Sequence, residues 1–324
     1  RMKLNKVPFL FLFGFFLVTD CKKDLLHFSK VQKIDSHTTQ DRLSRGIFIN
    51  DTLGYVVGGQ RFLNCVILTT TDGGHTYRLS SFPDAGKCLY GITVSPSGAP
   101  YTVGFDGKLL SSLNGRNWIY KQINYLPFND IAFPEAQHGI GIGGVSFESG
   151  FRFYIDSAGN TLKYDSLAYQ LNRIKMADGH TGYISGYGVM QTPSNGGQTW
   201  DILNVSGDNF TGLDVHSPSD VWICGYAGSV YHSTDAGKSW KQLRDGNNIN
   251  VSDFHLYDIY FQNDDINGWA VGENGIVLHT DDGGHHWMEY DNFTHDALRS
   301  ITPCPNGDLM VAGDNGALYR LAIQ

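Results

Sequence analysis

Residues 269–287 read Trp-Ala-Val-Gly-Glu-Asn-Gly-Ile-Val-Leu-His-Thr-Asp-Asp-Gly-Gly-His-His-Trp. Two β-prone runs flank a glycine-centred turn, and the second run leads into the phrase Ser/Thr-x-Asp-x-Gly-x-x-Trp. Five copies of this phrase occur, with Tyr77, Leu113 and Asn195 as departures from it; they begin at Thr70, Ser111, Pro193, Ser233 and Thr280. Recurrence of one phrase along a chain predicts repeat architecture.

The repeat length predicts a seven-bladed β-propeller. A glycine closes the second strand of each unit, at spacings of 39 to 47 residues: Gly58, Gly104, Gly143, Gly186, Gly225, Gly272 and Gly313. Each unit opens with a short apolar run such as Ile92-Thr93-Val94, which we interpret as the innermost strand. Seven four-stranded units arranged radially protect their edges by repetition, so we expect an all-β fold.

The last unit has only three strands of its own and ends near Leu321. Phe28-Ser29-Lys30-Val31 repeats the aromatic-x-x-apolar pattern of the other fourth strands. We therefore predict that the N-terminal segment supplies the missing strand and closes the propeller.

Each repeated phrase has the residues of a structural turn. An Asp side chain accepts backbone N–H bonds within its own turn, Gly permits positive φ, and Trp packs between neighbouring sheets. The phrase resembles the Asp-box, or BNR, repeat over residues 46–293. The string from Gly268 to Gly284 is similar to the photosystem II stability and assembly factor-like propellers. That resemblance implies a seven-bladed, exported and often lipid-anchored protein, whose photosynthetic relatives assist membrane-protein assembly.

The enzyme alternative comes from the sialidases, which are also Asp-box propellers. Their Phe/Tyr-Arg-Ile-Pro strand has only a weak counterpart at Phe151-Arg152-Phe153-Tyr154, which lacks the proline and follows two boxes. A glycosidase also needs two facing carboxyl groups, and no local pattern identifies such a pair. We expect no catalytic residues, no metal and no cofactor, and we retain an envelope carbohydrate-active protein, glycosidase or lectin, as the alternative function.

The first residues have the pattern of an export signal. Arg1, Lys3 and Lys6 precede an apolar run that is too short to span a bilayer. Cys21 follows that run in a lipobox-like context, although Asp20 occupies a position where a small residue is usual. We predict a signal peptide over residues 1–20, a lipid-anchored tether and closing strand over 21–42, and the propeller over 43–324. Lipidation of Cys21 would place the protein on a bacterial envelope membrane, the outer membrane in our interpretation, facing the periplasm or the surface.

One end of the channel is predicted to bind a partner. Arginines precede three innermost strands and aromatic residues follow five of the closing glycines, which is the composition of protein-binding hot spots. The predicted binding residues are Phe62, Phe105, Phe147, Tyr187, Tyr226, Arg45, Arg173 and Arg299. We expect an envelope protein or membrane complex as the partner. The formal net charge of −8, with scattered Lys and Arg, argues against nucleic acid.

Two cysteines are placed near the same end. Cys65 begins a third strand and Cys88 precedes the next innermost strand, so an exported chain is predicted to form a Cys65–Cys88 disulfide. Cys224 and Cys304 are expected to be buried thiols.

Overall fold

The computed structural model describes residues 25–38, 40–82, 85–195, 197–249 and 251–323. In these ranges the chain forms seven antiparallel sheets of four strands each. The predicted seven-bladed β-propeller is confirmed. The predicted signal peptide and the lipidation site at Cys21 lie outside the described residues.

Six blades are built from consecutive strands, ordered from the channel outwards, and the seventh combines both ends of the described chain. The N-terminal strand is β1 (Lys30–Lys33). Blades 1 to 3 comprise β2 (Arg42–Phe48), β3 (Gly54–Gln60), β4 (Asn64–Thr70), β5 (Arg78–Ser81); β6 (Leu89–Val94), β7 (Pro100–Gly104), β8 (Lys108–Ser111), β9 (Ile119–Gln122); β10 (Phe128–Glu135), β11 (His138–Val145), β12 (Ser149–Asp156) and β13 (Thr161–Leu167).

Blades 4 to 7 continue the pattern. Their strands are β14 (Leu171–Met176), β15 (Gly182–Gly186), β16 (Val189–Pro193), β17 (Trp200–Ile202); β18 (Phe210–Ser217), β19 (Asp220–Gly225), β20 (Val230–Ser233), β21 (Lys241–Arg244); β22 (Leu256–Phe261), β23 (Gly268–Gly272), β24 (Val277–Thr280), β25 (Met288–Glu289); β26 (Leu298–Pro303), β27 (Leu309–Gly313) and β28 (Leu318–Ala322). Two 3-10 turns, Glu273–Gly275 and Asp314–Gly316, follow β23 and β27. No helix in the described ranges is long and apolar enough to cross a membrane.

The closing glycines are required by a close approach of two chain segments. A Cβ on Gly272 would lie 2.0 Å from the carbonyl oxygen of His255, and one on Gly313 would lie 2.3 Å from that of Ala297. Both glycines have extended backbone, with φ of −166° and −160°. Glycine is therefore required because a side chain at this position would collide with the residue that directly precedes the innermost strand of the same blade.

The N-terminal segment closes the ring, as predicted. β1 pairs antiparallel with β28, with Lys30 opposite Ala322 and Lys33 opposite Tyr319. The strand begins two residues later than the sequence pattern indicated. Phe28 instead stacks on Tyr290 of blade 6, with 3.6 Å between ring centroids.

The repeated phrases form side-chain-capped turns between the third and fourth strands. In blade 1, Asp72 accepts a hydrogen bond from the backbone N–H of Thr76 at 2.9 Å, and Thr70 Oγ1 accepts one from Gly74 at 2.9 Å. The phrases at Ser233 and Thr280 make equivalent bonds.

The expected register of the second copy, with Leu113 in the Asp position, is wrong. Asn114 occupies that role: its Oδ1 accepts hydrogen bonds from the backbone N–H groups of Arg116 and Asn117, at 3.0 and 2.9 Å. Three residues separate Asn114 from Trp118, whereas four separate Asp72 from Tyr77 in the first copy. Because this turn is one residue shorter, counting back from the tryptophan assigned the Asp position to Leu113.

The hydrophobic core lies between adjacent blades. Trp240 of the blade 5 phrase packs in a cluster that contains Tyr183 of blade 4 and Leu213 of blade 5. Trp287 of the blade 6 phrase packs in the next cluster, with Trp222 of blade 5 and Phe261 of blade 6. The predicted wedge position of the phrase aromatics is therefore observed.

The predicted Cys65–Cys88 disulfide is wrong: both cysteines are free and buried. The Cys65 thiol donates to the Phe82 carbonyl oxygen at 3.5 Å, and the Cys88 thiol donates to the Leu89 carbonyl oxygen at 3.4 Å. Burial raises the pKa of Cys65 and raises the pKa of Cys88 to about 11, so both remain protonated at neutral pH. Cys224 and Cys304 are buried thiols, as expected.

Candidate binding site at one mouth of the channel

A β-bulge at the same place in every innermost strand decides which side chains face the channel. Each bulge shifts the register between the first apolar residue of the strand and the residue two positions later, as between Leu43 and Arg45 and between Leu298 and Ser300. A bulge turns neighbouring side chains in different directions. The residue within the bulge faces one mouth of the channel, and the next residue points toward the narrow middle of the channel, which we call the waist.

Charged residues of the waist brace neighbouring blades. Asp130 accepts a hydrogen bond from the backbone N–H of Ile174 in the next blade at 3.2 Å, and Asp258 accepts one from Ile301 at 3.0 Å. Arg45 lies 2.9 Å from Asp258. Burial alone would lower the pKa of Arg45, but Asp258 and Asp130 outweigh that effect and raise it. These groups hold blades together, and Arg45 is therefore not placed at the mouth as the sequence suggested.

The mouth at the bulge end opens into a cavity of about 260 Å³. We call it the mouth cavity. Its charged and aromatic lining residues are Arg42, Arg61, Tyr90, Phe105, Arg173, Tyr226, Tyr257 and Arg299. The lining contains no Asp or Glu among the described residues, so the cavity offers positive charge and aromatic surface together.

The five predicted aromatic residues all lie at this end, as two separate pairs and a single ring, Tyr226, which stacks on His255. Phe62, 64% exposed, packs edge-on against Phe105 with 5.1 Å between centroids. Phe147 and Tyr187, 43% and 49% exposed, pack together at 4.9 Å. Phe105 and Tyr226 line the cavity, whereas the other three rings extend outside its lining.

Two of the three predicted arginines reach the cavity: Arg299 from within the bulge of β26, and Arg173 from the waist position of β14, which is equivalent to that of Arg45. Arg173 is buried, and burial together with the neighbouring Arg45 lowers its pKa to about 10. Its Nε has no hydrogen-bond partner among the described residues. Arg299 donates two hydrogen bonds to the Asp314 carboxylate, at 3.0 and 2.6 Å.

Four cavity residues were missed by the sequence analysis, namely Arg42, Arg61, Tyr90 and Tyr257. Tyr90 and Tyr257 occupy the same bulge position as Arg299, one residue before the position aligned with Arg45. The Arg61 guanidinium lies 4.8 Å from the ring centroid of Phe105, and that of Arg42 lies 5.2 Å from that of Tyr90. A signal for Arg61 was available, because it directly precedes Phe62 in the same loop.

The other end of the channel holds a wider cavity of about 590 Å³. Its lining combines apolar side chains of the innermost strands with charged residues of both signs, namely Arg45, Asp130, Lys175, Asp178, Asp214 and Asp258. The two cavities therefore differ in chemistry, because the mouth cavity joins arginine with aromatic rings and has no Asp or Glu in its described lining.

The fold and this site define the class: a seven-bladed propeller with an arginine- and aromatic-lined mouth. Part of the sequence is similar to photosystem II assembly proteins. Over 108 residues, 28% of this chain, it is 31% identical to "Photosystem II stability/assembly factor HCF136, chloroplastic" of Guillardia theta. Over 80 residues, 25% of this chain, it is 34% identical to "Photosystem II assembly lipoprotein Ycf48" of Nostoc sp.. The matches span 26% and 20% of those relatives' lengths. The predicted resemblance is confirmed, and the names describe assembly factors rather than enzymes. No family model matches the chain.

Solved propellers share the whole fold at low sequence identity. "YCF48 bound to D1 peptide" has a TM-score of 0.66 at 17% identity, covering 91% of this chain and 95% of that one. "YCF48 from Cyanidioschyzon merolae" has a TM-score of 0.67 at 16% identity, covering 90% and 98%. The WD40 propeller domain of Doa1 is as similar, with a TM-score of 0.66 at 12% identity, covering 92% and 97%. At such identities the likeness supports the fold alone.

Proposed function

We propose that this protein is a non-catalytic assembly propeller, tethered to a membrane, whose mouth cavity binds an acidic or C-terminal segment of a membrane protein. The observation that carries the proposal is the lining of the cavity. Four arginines and four aromatic rings surround it, in a protein whose formal net charge is −8. Arginine forms paired hydrogen bonds with carboxylates, and aromatic rings bury a large area at little entropic cost.

The size of the cavity favours a chain segment over a folded surface. A volume of about 260 Å³ holds one or two side chains or a chain terminus. The exposed rings of Phe62, Phe147 and Tyr187 flank the cavity and provide apolar contacts for the neighbouring residues of an extended segment. The name of the related structure with a bound D1 peptide supports this mode of binding.

The tether is proposed to be a lipid on Cys21, which would hold the propeller at the surface of an envelope membrane. The lipobox-like context of Cys21 supports this, as does the word lipoprotein in the name of the Nostoc relative. We further propose the bacterial outer membrane as the location, with the propeller facing the periplasm or the surface.

The proposal is tested by capturing partners from detergent-solubilised native membranes with tagged protein. Arg61→Ala and Tyr226→Ala are the test variants, because both residues line the cavity and neither belongs to the waist. Loss of a hot-spot side chain costs about 2 kcal/mol or more, so we expect partner affinity to fall about thirtyfold. Arg116→Ala and Tyr164→Ala, exposed outside the cavity lining, are matched controls that should bind normally. Equal capture by all four folded variants would contradict the proposal.

The carbohydrate-active alternative has a distinct outcome. Asp130 and Asp258 are carboxylates of the channel waist, and both accept backbone hydrogen bonds from the next blade. Hydrolysis of a sialoside or glucan that is lost in Asp130→Asn or Asp258→Asn protein would favour the enzyme. Binding of a neutral glycan at the same rings, unaffected by Arg61→Ala, would favour a lectin.

A further inference from the structure

A cluster of histidine and aspartate side chains lies at the end of the propeller opposite the mouth cavity. His216 is near the end of β18, Asp220 begins β19, and Asp265 lies in the turn between β22 and β23. One ligand atom from each residue lies within 4.8 Å of the other two. The three residues come from two blades, so the propeller fold brings them together and no sequence motif contains them.

The hydrogen bonds of His216 fix how its ring is used. Nε2 faces two acceptors, the Asp214 carboxylate at 3.2 Å and the Phe261 carbonyl oxygen at 3.1 Å. Nε2 must therefore carry a hydrogen. Nδ1 faces Asp265 Oδ1 at 2.5 Å, and a lone pair on Nδ1 would be repelled by that carboxylate. Either a proton on Nδ1, which makes the ring an imidazolium ion, or a bound cation removes that repulsion.

We propose that His216, Asp220 and Asp265 form a binding site for a divalent transition-metal ion, with zinc as the best match. Imidazole nitrogen and carboxylate oxygen are both zinc ligands, and a site with three protein ligands takes a water molecule or a substrate in the fourth position. Zinc bonds of 2.0 to 2.2 Å place tetrahedral ligands about 3.4 Å apart. The three ligand atoms lie within 4.8 Å of one another, and the 2.5 Å contact between His216 Nδ1 and Asp265 Oδ1 is shorter than that spacing, so the Asp265 carboxylate would have to move away from the imidazole to admit the ion.

The surroundings of the cluster have the features of an outer coordination shell. Asp214 receives the Nε2 hydrogen of His216, giving the carboxylate–histidine–metal arrangement typical of zinc proteins. Asp214 is itself held by the backbone N–H of Phe261 at 2.8 Å. On the other side, His232 Nε2 lies 2.7 Å from Asp220 Oδ1. Two of the three proposed ligands are therefore oriented by a second residue.

The third ligand lies in a hydrogen-bonded turn. The backbone N–H of Asp265 donates to the Gln262 carbonyl oxygen at 3.0 Å, and its φ of 56° is in a region that Asp enters more readily than most residues. The Asp265 side chain is 38% exposed and that of His216 is 13% exposed, so an ion can enter from solvent.

Zinc titration of the chelator-treated full chain, followed by calorimetry, tests the site. Wild-type protein should bind one equivalent with micromolar or tighter affinity. His216→Asn, Asp220→Asn and Asp265→Asn should each weaken binding by about a hundredfold, since even outer-shell changes cost 10- to 100-fold. The matched control is His286→Asn, which removes an exposed His–Asp pair with a 2.6 Å contact and no third ligand within the described residues.

Thermal melting separates loss of a ligand from loss of fold. Zinc should raise the Tm of wild-type and His286→Asn protein and leave the Tm of Asp220→Asn and Asp265→Asn unchanged. Equal zinc binding by wild type and the ligand variants would overturn the proposal. So would the absence of a one-to-one site, because a proton on His216 would then be what bonds to the Asp265 carboxylate. The cluster is remote from the mouth cavity, so partner capture should be unaffected, and failure of one proposal leaves the other intact.

Discussion

At the scale of single residues, the phrase aspartates stabilise their turns through their charged form. Hydrogen bonds from the side chain and backbone of Ser239 lower the pKa of Asp235 to about 2. Burial would raise the pKa of Asp72, but hydrogen bonds from Thr76 and Thr70 outweigh it and lower that pKa to about 2. In two other copies the same position holds a neutral amide, Asn114 or Asn195, which still accepts backbone N–H bonds. The hydrogen-bonding geometry is therefore common to these turns, and the copies with Asp gain a further stabilisation from the charge of the carboxylate.

That addition predicts acid sensitivity. A carboxylate whose folded pKa lies below its ordinary value near 4 adds stability above pH 4, and this contribution is lost as pH falls toward 2. We expect Asp235→Asn protein to show a smaller fall in Tm than wild type between pH 5 and 2, measured by circular dichroism.

The control for this measurement is Asp201→Asn, which removes an exposed carboxylate outside the phrases. Its acid profile should follow that of wild type. A variant at Asp235 that loses Tm as steeply as wild type would show that the turn charge has no part in acid unfolding.

At the scale of elements, the N-terminal strand joins the last blade to its neighbours. β1 covers the free edge of β28, and the backbone N–H of Ile34 donates to the Leu318 carbonyl oxygen at 2.8 Å. Ile34 is buried in the cluster between blades 7 and 1, beside Val56 and Leu318. The segment before β1 reaches blade 6 through an isolated parallel bridge between Leu26 and Tyr290. One short segment thus contacts three blades.

Ile34→Ala should therefore destabilise the whole propeller. Removing a buried isoleucine side chain costs about 2 to 4 kcal/mol of the free energy of unfolding. Leu25→Ala, at a residue 37% exposed just outside the closing segment, should cost less than about 0.5 kcal/mol. Urea unfolding measures both. Similar values for the two variants would mean that the closing segment contributes little to stability.

At the scale of the whole molecule, the propeller presents two different faces. The mouth cavity combines arginine with aromatic rings, whereas the opposite end has a wider opening and the proposed metal cluster. At the waist between them, Arg45 of blade 1 pairs with the buried Asp258 of blade 6. The two ends thus present different chemistry, and the proposed tether would decide which of them meets a membrane.

The tether is tested by metabolic labelling with a fatty acid in the native host. Wild-type protein should carry label and sediment with membranes, whereas Cys21→Ser protein should lose both properties. Asp20→Gly, which restores a small residue before the cysteine, should be labelled at least as well as wild type. Label that persists in Cys21→Ser protein would contradict the proposed anchor.

The sequence by itself determined the blade count, the strand order and the closure by the N-terminus. These features follow from local, periodic constraints. The closing glycine and the innermost strand recur in all seven units and the phrase in five, so the repeat can be recognised without knowing which residues are in contact. The sequence also placed all five aromatic residues at one end, because loops after corresponding strands share a face.

Only the tertiary structure decided which charged side chains meet there. Arg45 and Arg299 precede apolar runs in the same way, yet Arg45 braces the waist and Arg299 lines the mouth cavity. The difference comes from the β-bulge: Arg299 lies within the bulge of β26, between Leu298 and Ser300, whereas Arg45 follows the bulge of β2, and neighbouring side chains at a bulge point in different directions. The cluster of His216 and Asp265 depends likewise on packing between blades, since residues 49 positions apart meet only when two sheets are set side by side.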